Sequence, residues 1–516
     1  MRMCSVFAAF TIAITAFGQS PTVTPRAAAR FLDQASWGST PDSIAQVESM
    51  GFANWLAAQF ASNTSDLPDQ PILNSVGKSN NNIGPVQTAF FQNALTGQDQ
   101  LRQRVAFILS QIWVVSQQSG VPQAYAYPPY WRLFRDNAFG NYRDVIKAVT
   151  LSPAMGRYLN MANNNKANVA RGTVPNENYA RELMQLFTLG LTQLNLDGSP
   201  VLQNNVPVPT YTPAVVTSMS RVLTGWTYPT APGASAKTNN PAYYIGQMFA
   251  VNGEHDTTAK TIFSNITLPP GQTAEQDLDS LLDALMAQPT MAPFISQQLI
   301  EHMVTSNPSP AYVQRVAQVF ENDGQGVTGD LKAVITAILM DPEARAGDDA
   351  TATIAVSFGH MREPILFMAN VLRGLNGTVS TAAVANDATE MTEDLFNAAS
   401  VFSYFSPQSR TEFGLFGPEF QIYSTQTASD RINITDSILY GAAGKAFKIN
   451  LTPFVDVAGD SSTLLSYIGA VFLHGAMSSA LQEAATTAVN AASTPAAKAQ
   501  MALYVVLTSS EYQVIQ

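Results

Sequence analysis

Apolar residues recur at intervals of three and four positions along most of the 516-residue chain. This spacing places them on one face of a helix, so the pattern predicts a protein built mainly from α-helices. The predicted helices span residues 25–36, 41–50, 52–60, 99–117, 142–149, 153–160, 174–190, 213–224, 275–287, 292–305, 310–322, 331–340, 364–375, 388–400, 464–473, 479–491 and 495–509.

Alternating patterns typical of strands are rare. Residues 243–251 and 261–268 show the strongest ones and predict a single small hairpin. Loops rich in Asn, Pro and Gly do not differ enough in composition to mark a domain boundary. We therefore expect an all-α fold, a large multi-helical globular body with at most a small β-hairpin. Residues 19–516 would form a single domain, with a possible division into two lobes near 228–270.

Residues 174–190 form the most informative predicted helix, here called the signature helix. Asn176 is placed to cap its start, Glu177 favours the positive end of the helix dipole, and Gly190 suits a left-handed C-terminal position. Glu177 and Arg181 are four residues apart and lie on one face, which predicts an ion pair within this helix, as part of a buried ladder that fixes neighbouring helices. Glu182 lies about 140° around the helix from Glu177, so the two carboxylates cannot act together.

The first residues match an export signal. Arg2 precedes an apolar stretch at 6–16, and small residues at 16 and 18 suit cleavage before Gln19. The signal peptide would be residues 1–18, and the protein would be exported to the periplasm or beyond the cell. The only cysteine, Cys4, lies inside this signal. The mature chain would therefore carry no thiol for disulfides, zinc or catalysis.

The net charge of −11 argues against nonspecific binding to nucleic acid or to anionic lipid. Beyond the signal, no apolar stretch is long and uncharged enough to span a bilayer. The best candidate, residues 354–375, is interrupted by His360, Arg362, Glu363 and Arg373.

Short motifs in nearly all of the mature chain resemble one family. These motifs occur at residues 31–41, 101–107, 138–144, 151–155, 174–190, 223–226, 255–256, 341–345, 362–364, 405–407 and 417–420. In this order they resemble the bacterial family known as domain of unknown function 1800. The resemblance implies an exported protein, often encoded beside a second uncharacterised family similar to sulfatases or alkaline phosphatases. The chain departs from the family pattern at 213–215, which lacks the usual acidic residue, and at Gln288, where a histidine is usual.

A few ionisable residues are candidates for chemistry. Glu182 would act as an acid or base, with Arg181 binding an anionic group; the alternative is a structural ion-pair ladder. Arg362 and Glu363 mark the entry to a helix, and His360 lies near enough to share a site with them. Arg362, Glu363 and His360 would contribute to the same catalytic site as Glu182 only if the fold brought these distant parts of the chain together.

His255 and Asp256 are the candidate ligands of a divalent metal, because histidine and carboxylate side chains bind such ions. The alternative is a structural Asp256 bonded to nearby backbone, with Lys260 neutralising its charge. Residues 324–329 spell a dinucleotide-binding pattern, but a predicted helix precedes them instead of a strand, which indicates a plain loop.

Two functions remain open. The first is a binding or accessory protein for an envelope or extracellular partner, either a glycan or a hydrolase. A cluster of aromatic residues would provide a stacking surface for sugars or belong to the core: Tyr125, Tyr127, Tyr130 and Trp131. The second is a carboxylate- or metal-dependent hydrolase or lyase acting on an extracellular polymer.

Overall fold

A computed structural model describes residues 22–263, 266–441 and 447–516. The predicted export signal at 1–18, with Cys4, lies outside these residues. The described part of the chain is predominantly helical, as the hydrophobic pattern predicts. None of its helices is long and apolar enough to cross a membrane.

Twenty-three α-helices occur in the described residues. The first half contains α1 (Pro25–Ala35), α2 (Pro41–Met50), α3 (Phe52–Ala61), α4 (Gly84–Thr96), α5 (Gln100–Ile112), α6 (Tyr127–Asn137), α7 (Tyr142–Thr150), α8 (Pro153–Tyr158), α9 (Asn178–Gln185) and α10 (Pro213–Val222). The middle contains α11 (Ala274–Met286), α12 (Met291–Met303), α13 (Pro310–Glu321), α14 (Leu331–Met340), α15 (Pro342–Arg345), α16 (Pro364–Gly374) and α17 (Ala383–Glu390). The last part contains α18 (Thr425–Tyr440), α19 (Thr452–Asp456), α20 (Ser461–Phe472), α21 (Ser479–Ala491), α22 (Pro495–Leu507) and α23 (Ser510–Gln513).

Five two-stranded antiparallel sheets accompany these helices in the described part of the chain. The pairs are β1 (Leu202–Gln203) with β2 (Val206–Pro207), β3 (Trp226–Thr227) with β4 (Phe249–Ala250), β5 (Lys260–Phe263) with β6 (Ile266–Leu268), β7 (His360–Met361) with β10 (Val514–Ile515), and β8 (Thr378–Val379) with β9 (Phe447–Lys448). The predicted hairpin between 243–251 and 261–268 was wrong in its pairing. The second run folds back on itself as β5 and β6, whereas β4 pairs with β3.

Many helices begin where the sequence supplies a cap and a proline. The hydroxyl of Thr24 accepts a hydrogen bond from the backbone N–H of Ala27, and Thr40 forms a reciprocal capping box with Ser43. Proline occupies the first helical position of α1, α2, α13, α16 and α22, where it lacks only an N–H that would have no partner. These local signals explain why several helix starts were predictable.

Two kinds of helix prediction failed. Residues 388–400 do not form a helix; α17 ends at Glu390, and Thr392 and Phe396 adopt left-handed backbone angles that a helix cannot contain. Six helices were missed: α4, α6, α15, α18, α19 and α23. In α6 two prolines follow the first residue, Tyr127, and resemble a turn in the sequence, although proline is tolerated in a first helical turn.

Buried hydrophobic side chains form one connected cluster that draws on most helices of the described chain. The aromatic residues Tyr125, Tyr127, Tyr130 and Trp131 belong to this core, each with at most 6% of its surface exposed. A sugar-stacking surface at these positions was therefore the wrong alternative. The pattern at 324–329 forms the loop between α13 and α14, as expected.

Candidate functional sites

The Arg362–Glu363 pair lies at the start of α16, where parts of the chain distant in sequence meet. Strand β7 pairs with β10, and the backbone N–H of Arg362 donates to the carbonyl of Gln513 at 2.8 Å. The Arg362 guanidinium contacts the carboxylate of Asp33 on α1 and lies 4.5 Å over the ring of Tyr512. Only 1% of Arg362 is exposed. Arg362 is therefore a buried cation with a buried partner.

Asp33 accepts three hydrogen bonds in this interior. They come from Arg362, from Nε2 of His474 at 2.7 Å and from Nδ2 of Asn370 at 2.9 Å. Burial alone would raise the pKa of Asp33, but the positive charge of Arg362 and the contact with His474 hold it well below its usual range. Asp33 is therefore ionised, and it orients the imidazole of His474.

A cavity of about 460 Å³ opens above Arg362 and His474. Arg26, Ser510 and Glu511 also line it. The Arg26 guanidinium is held by two backbone carbonyls, that of Gly347 at 2.8 Å and that of His474 at 3.3 Å. We call this space the Asp33–His474 cavity.

Glu363 faces a second group of buried polar side chains, the acidic core. Nε2 of Gln111 donates to Oε2 of Glu363 at 2.7 Å, and Nη1 of Arg104 lies 3.6 Å from Oε1. Glu393 is fully buried beside it. Burial is the largest cause that raises the pKa of both carboxyl groups, and their proximity to each other adds to the rise for Glu393. Burial therefore favours the protonated form of both carboxyl groups.

The acidic core continues to His360 and Glu419, whose Nδ1 and Oε1 lie 3.3 Å apart. Glu419 and His360 also act on Glu363, Glu419 raising its pKa and His360 lowering it. The expectation that His360 lies near Glu363 agrees with this geometry. Glu393, Glu419 and Arg104 were not among the predicted site residues, because only the folded chain places them around Glu363.

His255 lies elsewhere, in a buried cluster beside α11. Its Nε2 lies 2.9 Å from Oδ2 of Asp277, and its Nδ1 lies 2.9 Å from the carbonyl oxygen of Thr224. Nζ of Lys260 lies 2.6 Å from the same Asp277 oxygen. Both ring nitrogens of His255 therefore already have protein partners, which leaves neither free to ligate a metal.

Asp256 points to other partners. Nε of Arg221 donates to its Oδ2 at 2.8 Å, and the backbone N–H of Thr258 donates to its Oδ1 at 2.9 Å. Burial would raise the pKa of Asp256, but Arg221 and Thr258 together hold it below its usual range. Arg221, and not Lys260, neutralises this carboxylate. Among the described residues, no group of three or more His, Cys, Asp or Glu is arranged to hold a metal ion. The geometry therefore favours a structural role for Asp256 over the predicted metal site.

The signature helix is shorter than its sequence pattern, since α9 begins at Asn178 and ends at Gln185. Nη2 of Arg181 lies 3.0 Å from Oε2 of Glu177, so the predicted same-helix contact is present. Arg181 is exposed, Glu177 is half-buried, and Glu177 accepts a hydrogen bond from the hydroxyl of Thr217 on α10. The expectation of a buried ladder was wrong.

Glu182 is half-buried on the other side of α9, and its Oε2 is buried without a hydrogen-bond partner in the described structure. Burial raises the pKa of Glu182, and Arg181 opposes this rise. Glu182 interacts with Tyr158 and Tyr211, whereas the partners of Glu363 are those of the acidic core. The structure therefore does not bring Glu182 into one site with Glu363.

A second cavity, of about 550 Å³, lies at the start of the signature segment. Amide side chains dominate its lining, and we call it the asparagine cleft. Its polar lining residues are Asn160, Asn163, Asn164, Asn165, Asn168, Asn176, Lys166, Arg171, Thr173 and Glu254. Only Val174 and Asn176 of the whole lining belong to the predicted helix at 174–190, so the sequence pattern indicated only its edge.

Hydrogen bonds join the lining of the cleft to segments that carry the family resemblance. The side chain of Asn164 accepts from the N–H of Asn176 at 2.8 Å and donates to its carbonyl at 3.2 Å. The carbonyl of Asn164 accepts from Gly225 at 2.8 Å, and the N–H of Lys166 donates to the carbonyl of Glu254 at 2.8 Å. The cleft therefore joins the signature segment to residues 223–226 and to the loop of His255.

The fold and these two cavities define a mainly helical protein with charged groups buried in its core and with two separate candidate sites. The sequence profile of a family described as "Protein of unknown function (DUF1800)" matches residues 30–514. Because the match covers nearly the whole chain, the protein belongs to that family. Comparisons with curated proteins and with solved structures found no match.

Proposed function

We propose that the protein is an exported binding protein and that its asparagine cleft holds a glycan of the envelope or the extracellular space. The observation that carries this proposal is the lining of the cleft, in which amide side chains predominate. A side-chain amide presents both donors and an acceptor, which complement sugar hydroxyl groups. Hydrogen bonds, and not aromatic stacking, would hold the ligand, since the aromatic cluster at 125–131 is buried.

The charges of the cleft favour an acidic sugar. Lys166 and Arg171 line it, and neither forms an ion pair within the described part of the chain. They stand out in a chain of net charge −11. Arg in particular binds a carboxylate through two parallel hydrogen bonds. We therefore infer that the glycan contains uronic acid or another carboxylated sugar.

The cleft is held in shape before any ligand binds. Asn164 is tied to Asn176 and Gly225, and Asn163 accepts from the hydroxyl of Thr227 at 2.6 Å and donates to the carbonyl of Asn240 at 3.0 Å. A preformed site loses less conformational entropy when the ligand binds. Recognition of a flexible oligosaccharide benefits from this rigidity.

Export is the second part of the proposal. It rests on the charged, apolar and small-residue pattern of residues 1–18. Expression of the full chain in a bacterial host tests it. We expect the secreted or periplasmic fraction to contain protein that begins at Gln19. Uncleaved protein found only in the cytoplasm would contradict export.

The test of binding is titration calorimetry of the purified chain with oligogalacturonate and with a neutral oligosaccharide of equal length. The double variant Lys166→Gln/Arg171→Gln removes both cations, and Lys78→Gln is the matched control on an exposed loop elsewhere. Each lost charge-assisted hydrogen bond, at about 1.5–3 kcal/mol, should weaken binding about 10- to 150-fold. Equal affinity of the double variant, or no affinity for either glycan, would overturn the proposal. Binding of a protein instead of a glycan would show that the partner belongs to a different class of molecule, and it too would contradict the proposal.

The alternative function is a hydrolase or lyase that acts on an extracellular polymer. Its predicted residues Glu182, Arg181, Arg362 and Glu363 have separate sets of partners, as do His255 and Asp256. Arg362 alone among them lines one of the two cavities. Of these residues, only Arg362 could therefore contact a ligand bound in either cavity.

A further inference from the structure

Beyond glycan binding, the Asp33–His474 cavity has the features of a catalytic site. His474 is 6% exposed and lines the cavity, and its Nε2 lies 2.7 Å from the carboxylate of Asp33. Because Asp33 is ionised, it accepts a hydrogen bond from Nε2–H, which fixes the tautomer of the ring. Nδ1, the ring nitrogen that does not contact Asp33, then carries a lone pair.

We propose that the Asp33–His474 cavity hydrolyses a small ester that bears an anionic group, with Nδ1 of His474 as the general base. Nδ1 removes a proton from a water molecule while the water oxygen attacks the carbonyl carbon. The tetrahedral intermediate then expels the alcohol oxygen, which takes the proton back from the imidazolium. The products are a carboxylic acid and an alcohol, so atoms and charges balance.

The surroundings of His474 support the role of a base. Burial lowers the pKa of this imidazole; Asp33 opposes the effect, while Arg362 and Arg30 add to it. A neutral ring at physiological pH is the form that accepts a proton. Asp33 would stabilise the imidazolium that forms, and Arg362 and Asn370 hold Asp33 in position.

The backbone of His474 is also unusual. It follows α20 with a φ of +53°, and Gly475 follows with a φ of +69°. Glycine or asparagine is the common residue at such a left-handed position, and other residues are strained there by about 1–3 kcal/mol. Strain of this kind persists where the side chain is required by its surroundings. Here the left-handed turn directs the imidazole to Asp33.

The cavity also supplies an anchor for an anion. The two carbonyls that bind Arg26 fix its guanidinium, and its charge acts on Asp348 and Asp349 without a direct ion pair among the described residues. Glu511, the acidic residue of the lining, is held by the N–H of Ser478 at 3.0 Å. The volume of about 460 Å³ lies in the range of small-molecule pockets. This cavity shares no lining residue with the asparagine cleft.

Steady-state hydrolysis of 4-nitrophenyl acetate and of the 4-nitrophenyl monoester of succinic acid tests the proposal. His474→Gln keeps an amide N–H for Asp33 but has no basic nitrogen, so it separates catalysis from folding. We expect kcat to fall about 10²- to 10⁴-fold in this variant. His302→Gln, which removes an imidazole outside the cavity, should leave kcat unchanged.

Arg26→Gln should raise KM for the succinate monoester and leave KM for the acetate ester unchanged. The wild-type rate should rise with pH through a midpoint below about 6.5, the ordinary pKa of imidazole. Absence of saturable hydrolysis, or equal rates for wild type and His474→Gln, would overturn the proposal.

The imidazole tautomer gives a readout that does not depend on turnover. Nitrogen-15 NMR of the wild-type protein at pH 7.5 should show His474 protonated at Nε2 and unprotonated at Nδ1. A proton at Nδ1 would leave no base toward the cavity and would also overturn the proposal.

Discussion

Glu363 and Glu393 share one amide donor in the interior. Nε2 of Gln111 lies 2.7 Å from Oε2 of Glu363 and 3.4 Å from Oε1 of Glu393. The other oxygen of Glu393 accepts from the backbone N–H of Ile365 at 2.8 Å. Two ionised carboxylates around one buried amide would repel each other, and this repulsion, added to burial, raises the pKa of Glu393.

The pair predicts how stability changes with pH. The pKa of Glu393 in the folded protein lies above its unfolded value of about 4.5. Its contribution is therefore complete below about pH 4.5 and is lost as the pH rises through the folded pKa. We expect the free energy of unfolding, measured in urea from pH 4.5 to 9, to fall less steeply in Glu393→Gln than in wild type.

Glu393→Ala is the control for this experiment. It also removes the titrating group, but it leaves the N–H of Ile365 without its acceptor, at a cost of about 1–3 kcal/mol. A Glu393→Gln profile that is parallel to the wild-type profile would show that Glu393 does not hold a proton in the folded state.

Arg362 and Arg181 should differ greatly in their contribution to stability. Arg362→Ala leaves the buried carboxylate of Asp33 without its guanidinium partner, which should lower the free energy of unfolding by about 3–5 kcal/mol. Arg181→Ala removes an exposed pair with Glu177, worth less than about 0.5 kcal/mol. Urea unfolding at pH 7 measures both. Similar losses of unfolding free energy in the two variants would contradict the burial of Arg362 and the exposure of Arg181.

Glu182→Gln should not destabilise the protein at neutral pH. Burial raises the pKa of Glu182, and its buried Oε2 has no partner in the described structure, so the neutral amide suits the site at least as well as the carboxylate. The advantage of the variant should increase between pH 4.5 and pH 8, because wild-type stability falls as this carboxyl ionises. Thermal unfolding at both pH values checks the sign. A large loss of stability at pH 8 would mean that the charge of Glu182 is needed.

Chelation should leave the His255 cluster intact. Both ring nitrogens of His255 bond to the protein, and Asp277 is paired with Lys260, so melting in EDTA should match melting in buffer. Asp277→Asn should cost about 3–5 kcal/mol, because it leaves the buried ammonium of Lys260 without its counter-charge. A fall in the melting temperature on chelation would restore the metal hypothesis for His255 and Asp256.

Gly225 joins the asparagine cleft to the His255 loop and should not tolerate a side chain. Its φ is +88°, and a Cβ would lie 3.0 Å from the backbone nitrogen of His255. Gly225→Ala should therefore lower stability by about 1–3 kcal/mol and weaken glycan binding. Gly253→Ala is the matched control, since a Cβ there meets no atom within 4 Å. Equal stability of the two variants would contradict the close approach of Gly225 and His255.

Helices marked by local sequence signals were predictable, whereas contacts between distant segments were not. Residues 41–50, 331–340 and 479–491 form helices with the predicted bounds, because apolar spacing and capping residues lie within each segment. The failed helix at 388–400 and the shortened helix at 174–190 have suitable spacing too, but their backbone follows tertiary contacts. Glu363 was singled out from its motif, whereas its partners Arg104 and Glu393 come from other parts of the chain.

The sequence by itself determined the helical class, many helix starts and the family, because spacing, capping and motifs are properties of short segments. Only the tertiary structure decided which charged groups meet. It paired Arg362 and His474 with Asp33, Asp256 with Arg221, and His255 with Asp277. The physical reason is that a buried charge without a partner is costly, so each of these groups is paired with a residue of the segment that packs against it. Which segments pack together depends on the whole fold, and the spacing of residues within one segment does not predict it.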